Sequence, residues 1–253
     1  MTFDVAGETY DRFMGRYSRP LAARLADWLE VSPGQQAVDV GSGPGALTGV
    51  LVERLGVERV RAIDPSEPFV AACGERFPGV DVRLGTAESL PFGDDTCDVA
   101  AACLVVHFMT DPVAGVAEMS RVTRPGGRVG ATVWDLAGSR APMWPLWEAV
   151  AELRPDHPGE RGDLPGSSRE SLVAILADAG LDDVESVEID VSVTHSSFEE
   201  WWEPYLLGVG PAGEAVAALG PDGRRDLESV LRRRLGAGPF EITAVAHAAR
   251  GRA

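Results

Sequence analysis

Three glycines at alternate positions follow a short apolar run in the segment VDVGSGPG, residues 38–45. Glycine at this spacing lets the backbone approach a ligand closely in the turn between a strand and a helix. A dinucleotide, a nucleoside triphosphate and S-adenosylmethionine (SAM) are all held by loops of this kind. A triphosphate is disfavoured, because no Gly-Lys-[Ser/Thr] sequence supplies the lysine that such a site uses.

Two aspartates near the glycines bear on the choice between a dinucleotide and SAM, and Asp39 is the one that distinguishes them. Asp39 lies two residues before Gly41 and would face the ligand cleft. A carboxylate there would repel a pyrophosphate but suits a cationic ligand without phosphate, and SAM carries an ammonium and a sulfonium. Asp64 ends a second apolar run, where it would accept hydrogen bonds from ribose hydroxyls. Both NAD and SAM need that contact, and Asp64 before Pro65 also suits a turn or cap.

Short apolar runs alternate with helical patterns over the first half of the chain, which predicts parallel strands joined by right-handed crossovers. A sheet of this kind binds its ligands at the carboxyl ends of the strands. Ser18 before Pro20 predicts a helix N-cap, and Asp111 before Pro112 predicts another. The predicted parallel strands are QAVDV, RVRAI, VDVRL, CDVAAACLVV and GGRVGATVWD.

The overall charge excludes some classes of partner. With 23 basic and 39 acidic residues the formal charge is −16, which opposes contact with nucleic acid and with anionic membranes. Three cysteines without metal-site spacing indicate reduced thiols, and no metal is expected. With neither a signal-peptide pattern nor a long apolar run, the expected location is the cytoplasm, and the chain is expected to be a monomer or homodimer.

Four blocks of sequence together resemble the class I SAM-dependent methyltransferases. They are VDVGSGPG, AIDPSEPFV, GTAESLPFGDDTCDV and RVTRPGGRV, and they cover about residues 36–135 in the family's order. The similarity is greatest to the branch around the ubiquinone and menaquinone methyltransferases, which act on small molecules. It implies an α/β Rossmann-like fold whose seven-stranded, mostly parallel sheet has an antiparallel last strand and helices on both faces. Segments 183–193 and 239–249 would be the sixth and seventh strands.

The resemblance also implies roles for matching residues in binding SAM, whose product is S-adenosylhomocysteine (SAH). The glycine loop would wrap the methionyl and ribose groups, Asp39 would lie by the ammonium, and Asp64 would bind the ribose. Thr86 departs from the family, which often has Asp there. The full predicted cofactor set is Tyr10, Arg16, Asp39, Gly41, Ser42, Gly43, Gly45, Asp64, Pro65, Ser66, Thr86, Ala87, Glu88, Ala102 and Cys103.

Methyl transfer from a sulfonium needs positioning and exclusion of water, and it needs a base only when the nucleophile must lose a proton. His107 follows the fourth apolar run and is the candidate base, although it also suits a pocket-shaping or capping role. Aromatic residues concentrate after the fifth strand, where the fold inserts recognition elements. The predicted acceptor set is Tyr17, Trp134, Trp144, Trp147, His157 and Trp201. Packing in an ordinary core is the competing interpretation for these aromatics.

The sequence thus predicts one methyltransferase domain over 1–253, acting on a small apolar or aromatic acceptor. It has a helical lid at 1–32, a SAM-binding core at 33–135, and recognition insertions at 136–167 and 196–236. Two alternatives stay open. One is a protein of the same fold that binds SAM without transferring its methyl group, or that catalyses a rearrangement. The other is an NAD-dependent oxidoreductase, which Asp39 argues against.

Overall fold

A computed structural model describes residues 11–157, 159, 163–208 and 210–253. Its strands are β1 Ala37–Val40, β2 Val60–Asp64, β3 Asp81–Leu84, β4 Cys97–Cys103, β5 Thr123–Trp134, β6 Asp182–His195 and β7 Phe240–Arg252. Its α-helices are α1 Arg16–Trp28, α2 Ala46–Leu55, α3 Glu67–Arg76, α4 Pro112–Val122, α5 Trp144–Leu153, α6 Arg169–Asp178, α7 Phe198–Trp202, α8 Gly210–Ala218 and α9 Gly220–Leu235. A π-helical turn, Asp11–Gly15, precedes α1, and 3-10 turns lie at Val57–Arg59, Val106–Phe108 and Glu203–Leu207.

The strands form one sheet in the order β3-β2-β1-β4-β5-β7-β6. The pairs from β3 through β5 are parallel, and β7 runs antiparallel to both of its neighbours. The predicted seven-stranded sheet with an antiparallel last strand is therefore confirmed. Because β6 is again parallel to β5, the carboxyl ends of β1, β2, β4, β5 and β6 all meet at one edge of the sheet.

Helices cover both faces of the central strands. Alternate residues of β4 divide between two apolar clusters, as the two-residue period of a strand requires. Val99 and Ala101 pack in a cluster with residues of α1 and α2. Ala100 and Ala102 pack in a second cluster with residues of α4 and α6. This two-sided burial explains why β4 reads as a continuous apolar run.

The first helix begins earlier than its sequence predicts. The backbone is already helical at Gly15, and α1 starts at Arg16, so Ser18 lies inside the first turn rather than at the N-cap. The Ser18 side chain is buried, at 4 % exposure. The prediction of a cap at Ser18 is wrong because the preceding π-helical turn extends the helix backwards. The cap at Asp111 is confirmed, since its carboxylate accepts from the amide of Ala114 at 3.0 Å.

One large apolar cluster joins most of the elements after β5 to the start of α1. It contains buried residues of α5, α7, α8 and α9 and of the antiparallel strands β6 and β7. Ion pairs fasten its outer edge: Arg234 on α9 contacts Glu148 and Glu152 on α5, at 3.2 and 2.7 Å. Arg232 contacts Glu199 on α7 at 2.7 Å. The two segments predicted as recognition insertions therefore pack against each other.

The described residues show neither a membrane-spanning helix nor a cluster of metal ligands. None of the helices in 11–157, 163–208 and 210–253 is long and apolar enough to cross a membrane. Within the same ranges there is no group of three or more His, Cys, Asp or Glu side chains that would hold a metal ion.

Candidate active site

A cleft opens at the sheet edge where β1, β2 and β4 end. Its volume is about 970 Å³, counting the part that opens to solvent. The wall consists of Ser18, Asp39, Gly41, Ser42, Gly43, Pro44, Ala46, Leu47, Asp64, Pro65, Ser66, Phe69, Cys103, Leu104, Val105 and Phe108.

The glycine loop presents backbone to this cleft because side chains do not fit. Gly41 has φ +73°, and a Cβ at this position would lie 2.5 Å from the Val105 side chain. The amides of Gly41 and Ser42 both donate to the carbonyl of Ile63, at 2.8 and 3.0 Å. The loop is thus fixed between β2 and the segment after β4, with its backbone exposed to a ligand.

Asp64 holds two sides of the cleft together. Its Oδ2 accepts from the Gly43 amide at 2.8 Å, and its Oδ1 accepts from the Ser66 amide at 2.9 Å. Burial raises the pKa of Asp64, and the two amide bonds oppose that shift. Each carboxylate oxygen keeps a further lone pair. The group can therefore accept from a ligand diol while it fixes the glycine loop.

Asp39 is a buried acid with half of its bonding capacity unused. The side chain is 1 % exposed, and its Oδ2 accepts from the Thr48 hydroxyl at 2.6 Å. No described residue bonds to its Oδ1. Burial raises the pKa of Asp39 to about 7, and the bond from Thr48 opposes that shift. A buried carboxylate of this kind is stabilised by a cation in the cleft.

Ser18 contributes a hydroxyl to the cleft from α1 and is not among the predicted site residues. Its Oγ is buried, and nothing within the described ranges bonds to it. A serine inside a helix often bonds back to the carbonyl one turn earlier, and Ser18 does not. The signal in the sequence was a serine on the apolar face that carries Leu21, Ala22 and Leu25.

Eight of the predicted cofactor residues meet in the cleft wall. They are Asp39, Gly41, Ser42, Gly43, Asp64, Pro65, Ser66 and Cys103. Prediction missed Ser18, Phe69 and the apolar stretch Leu104–Val105, among others. Leu104 adopts φ +64° as the chain leaves β4. Nothing in the sequence indicates that a leucine at this position adopts a positive φ.

Other predicted cofactor residues lie outside the wall. A Cβ on Gly45 would lie 2.5 Å from the Phe77 ring, so this glycine serves helix packing. Glu88 accepts from the Thr110 amide at 2.8 Å. Burial opposes ionisation of Glu88, but amide bonds of this kind outweigh it and lower the pKa. Thr86, Ala87 and Ala102 are also absent from the wall, and Tyr10 lies outside the described residues.

Arg16 binds protein groups instead of facing the cleft. One guanidinium nitrogen contacts Glu200 Oε1 at 2.8 Å, and another donates to the Thr194 carbonyl at 2.8 Å. The first nitrogen also lies 3.3 Å from Nδ1 of His195. The predicted role of Arg16 in binding SAM would require these contacts to break.

His107 lies beside the cleft but not in its wall. It occupies the 3-10 turn Val106–Phe108, and Phe108 reaches the wall. Burial lowers the pKa of His107 to about 4, and no described residue bonds to its Nδ1. An imidazole with this pKa is neutral at pH 7 and a weak base.

The predicted acceptor aromatics gather in the apolar cluster next to the cleft. Trp134, Trp147 and Trp201 are each 3 % exposed, and Tyr17 is 4 % exposed. Trp144 is partly buried against the same cluster. His157 stacks on the Trp147 ring, with a centroid distance of 5.7 Å. The cluster reaches the cleft through Leu104, which belongs to both.

Comparison with known protein families gives a match for the part of the chain that forms the central strands. Residues 38–130 match the family model described as a methyltransferase domain. Over these residues the chain is similar to methyltransferase domains. The match agrees with the predicted class, whereas the ubiquinone and menaquinone branch is not specifically supported. Proteins of the matched family use SAM as cosubstrate, and the residues of the cleft fit it. The buried Asp39 Oδ1 has no partner among the described residues and suits a cation, and the wall contains no lysine that would bind a phosphate.

Curated relatives agree with the family over part of their length. The chain is 36 % identical over 140 residues to an uncharacterised methyltransferase of Mycobacterium tuberculosis, covering 55 % of this chain and 54 % of the relative. It is 37 % identical over 138 residues to nocamycin O-methyltransferase of Saccharothrix syringae, covering 52 % and 49 %. The chain thus spans about half the length of the curated relatives it matches.

The solved structures agree on the fold. The YcgJ protein of Bacillus subtilis aligns with a TM-score of 0.57 at 20 % identity, covering 93 % of this chain and 97 % of that one. At this level of identity the likeness shows a shared fold only. The observed strand order agrees with the predicted Rossmann-like fold.

Proposed function

We propose that this protein transfers a methyl group from SAM to a small apolar or aromatic acceptor. The observation that carries the proposal is Asp39, a buried carboxylate with one oxygen unpartnered among the described residues, in the same wall as Asp64 and the glycine loop. Asp39 suits the ammonium of SAM, and Asp64 suits its ribose diol. The relative that acts as an O-methyltransferase favours transfer to oxygen.

The residues of this chain would act by positioning. Asp64, Gly43 and Ser66 fix the glycine loop so that the methyl donor lies in one orientation. SAM supplies an activated methyl group on a positive sulfur, whose departure as a neutral thioether needs no acid. We propose that the apolar cluster beyond Leu104, built from the segments 136–167 and 196–236 with Tyr17 of the lid, holds the acceptor and excludes water.

Methyl-transfer assays with SAM and a panel of phenols, carboxylic acids and amines test the proposal, together with equilibrium binding of SAM, SAH and NAD. Binding of SAM and SAH with turnover of one acceptor class is the expected result. Bound SAM that no acceptor ever consumes favours the non-methylating alternative. Tighter binding of NAD than of SAM favours the oxidoreductase.

Ser18→Ala is expected to weaken SAM binding by about threefold to tenfold, because a buried hydroxyl that faces the ligand would lose its bond. Isothermal titration calorimetry measures the change. Ser229→Ala is the matched control, since the Ser229 hydroxyl lies on α9 and donates to the Arg225 carbonyl, away from the cleft. Equal SAM affinity in wild type and Ser18→Ala would contradict a role for Ser18.

SAM affinity is expected to rise with pH up to about 7 and then level off, because the cation prefers ionised Asp39, whose pKa burial raises to about 7. The affinity should change up to about tenfold per pH unit below that value. In the free protein the sign is opposite: the raised native pKa makes Asp39 lower the stability as pH rises from the unfolded pKa toward 7. Asp39→Asn should flatten both profiles, measured by calorimetry and by thermal unfolding. Unchanged slopes in this variant would reject the assignment.

A further inference from the structure

A buried hydrogen-bonded pair lies at the apolar cluster next to the cleft. The Tyr17 hydroxyl is 2.9 Å from Nε2 of His195, and these side chains are 4 % and 3 % exposed. The other imidazole nitrogen, Nδ1, is 3.3 Å from a guanidinium nitrogen of Arg16. Arg16 is itself held by Glu200 and by the Thr194 carbonyl. The sequence predicts none of these contacts, because 178 residues separate Tyr17 from His195.

The direction of these bonds follows from Arg16. A guanidinium can only donate, so Nδ1 of His195 must accept, and the imidazole proton resides on Nε2. Nε2 then donates to the Tyr17 oxygen. The phenolic proton of Tyr17 is left for another acceptor, and within the described ranges the structure gives this hydroxyl no partner besides His195. Tyr17 is therefore a fixed hydrogen-bond donor.

Indole groups add further donors in the same apolar cluster. The Trp134 ring meets the Tyr17 ring edge-on, with a centroid distance of 6.4 Å. The Nε1 atoms of Trp134, Trp147 and Trp201 are buried, and none has a partner in the described parts of the chain. An indole N–H can only donate, and each such buried group destabilises the protein until an acceptor reaches it. All the buried side-chain nitrogen and oxygen atoms of the cluster that have no partner in the described residues are donors.

These hydrogen-bond donors lie next to the cleft that is proposed to bind SAM. Tyr17 and Ser18 are consecutive on α1 and point about 100° apart, so one helix separates the cluster from the cleft. Ser18 lies in the cleft wall, and Leu104 belongs to both the wall and the cluster. Trp134 ends β5 at the same sheet edge.

The nearby histidines are poor bases. Burial and, to a smaller extent, the Arg16 charge lower the pKa of His195 to about 4, against the opposing charge of Glu200. Burial likewise lowers the pKa of His107 to about 4. Both imidazoles are neutral at pH 7, and His195 already uses both nitrogens. An acceptor that must lose a proton would find no strong base in either imidazole.

We infer that the methyl acceptor is an oxygen acid that arrives ionised, a carboxylate or an acidic enol or phenol, and that Tyr17 and Trp134 bind its oxygens. This inference rests on the proposed function and names its substrate class. The oxyanion forms a bond to the methyl carbon while the carbon–sulfur bond breaks and its electron pair stays on sulfur. The products are a neutral ester or ether and neutral SAH, and no proton moves.

The net charge of the chain gives a second way to recognise an ionised acceptor. A formal charge of −16 repels an anionic acceptor during approach, although donors receive it inside the cluster. Added salt screens that repulsion. We expect kcat/KM for an ionised acceptor to rise with ionic strength, while a neutral acceptor shows little change.

Binding of two probes to the SAH complex tests the inference without knowledge of the natural acceptor. The probes are naphthalene-2-carboxylate and naphthalene-2-methanol, which share an apolar body and differ in the ionised group. The carboxylate is expected to bind at least about tenfold tighter. Tyr17→Phe and Trp134→Phe should each remove most of that preference, whereas Tyr205→Phe and Trp202→Phe, rings of the same cluster, should keep it.

The outcomes separate the inference from the proposed function. Unchanged SAH affinity in all four variants shows that they are folded. Absence of SAH and SAM binding in the wild type overturns the function itself. SAH binding with equal or no affinity for the two probes, or a preference that survives both Tyr17→Phe and Trp134→Phe, overturns the inference alone. A methyl-transfer panel of carboxylates and acidic phenols against alcohols then distinguishes which ionised oxygen is used.

Discussion

Asp64→Ala is expected to weaken SAM binding by at least about 100-fold, because hydrogen bonds to a charged group contribute about 1.5–3 kcal/mol each. The substitution would remove the hydrogen bonds that the carboxylate accepts from a ribose diol. It would also remove the bonds that the carboxylate accepts from the amides of Gly43 and Ser66, at 2.8 and 2.9 Å. Two losses at one residue make this the largest effect expected of any side-chain truncation in the cleft.

Calorimetric titration of SAM into the variant measures the change, with circular dichroism as the test of folding. Asp81→Ala is the matched control, since Asp81 begins β3 and pairs with Arg83 at 2.7 Å, outside the cleft wall. A folded Asp64→Ala protein whose SAM affinity stays within threefold of the wild type would reject the ribose assignment.

Gly41→Ala is expected to abolish measurable SAM binding. The added Cβ would lie 2.5 Å from both Cγ atoms of Val105, so either the loop or the segment after β4 must move. Both border the cleft, and a displacement there would remove the backbone from the ligand. The positive φ of +73° adds strain of about 1 kcal/mol.

Gly126→Ala separates these two effects. Gly126 has φ +78°, nearly the same backbone strain, but a Cβ there meets nothing within 4 Å. We expect Gly126→Ala to lower the melting temperature slightly and to leave SAM affinity intact. If both variants bind SAM like the wild type, close approach at Gly41 does not matter for the site.

The sheet and the glycine loop could be predicted because their signals are local. Apolar runs between helical patterns determine parallel strands, and Asp39 with Gly41 lies within a few residues of the loop that they form. Gly45 shows the limit of such a pattern. A glycine spacing does not tell which glycine faces ligand, and the ring of Phe77 occupies the side that Gly45 leaves open.

The apolar cluster next to the cleft could be predicted only as a set of aromatic residues. Its organisation depends on contacts between distant segments, such as Tyr17 with His195 and Arg234 with Glu148. No periodicity in the sequence encodes those pairs. The prediction of an N-cap at Ser18 was wrong for a related reason. A serine two residues before Pro20 favours a cap, but the helical turn that precedes Ser18 places it inside α1.

Equilibrium binding of SAM to the wild-type protein tests the central claim most directly. The account predicts a single site per chain with a dissociation constant below about 1 mM, within the usual range for enzyme substrates. It also predicts that SAH competes for this site and that NAD and ATP do not. Absence of SAM binding at about 1 mM, or displacement of SAM by NAD, would contradict the assignment of the cleft at Asp39 and Asp64 to a methyl donor.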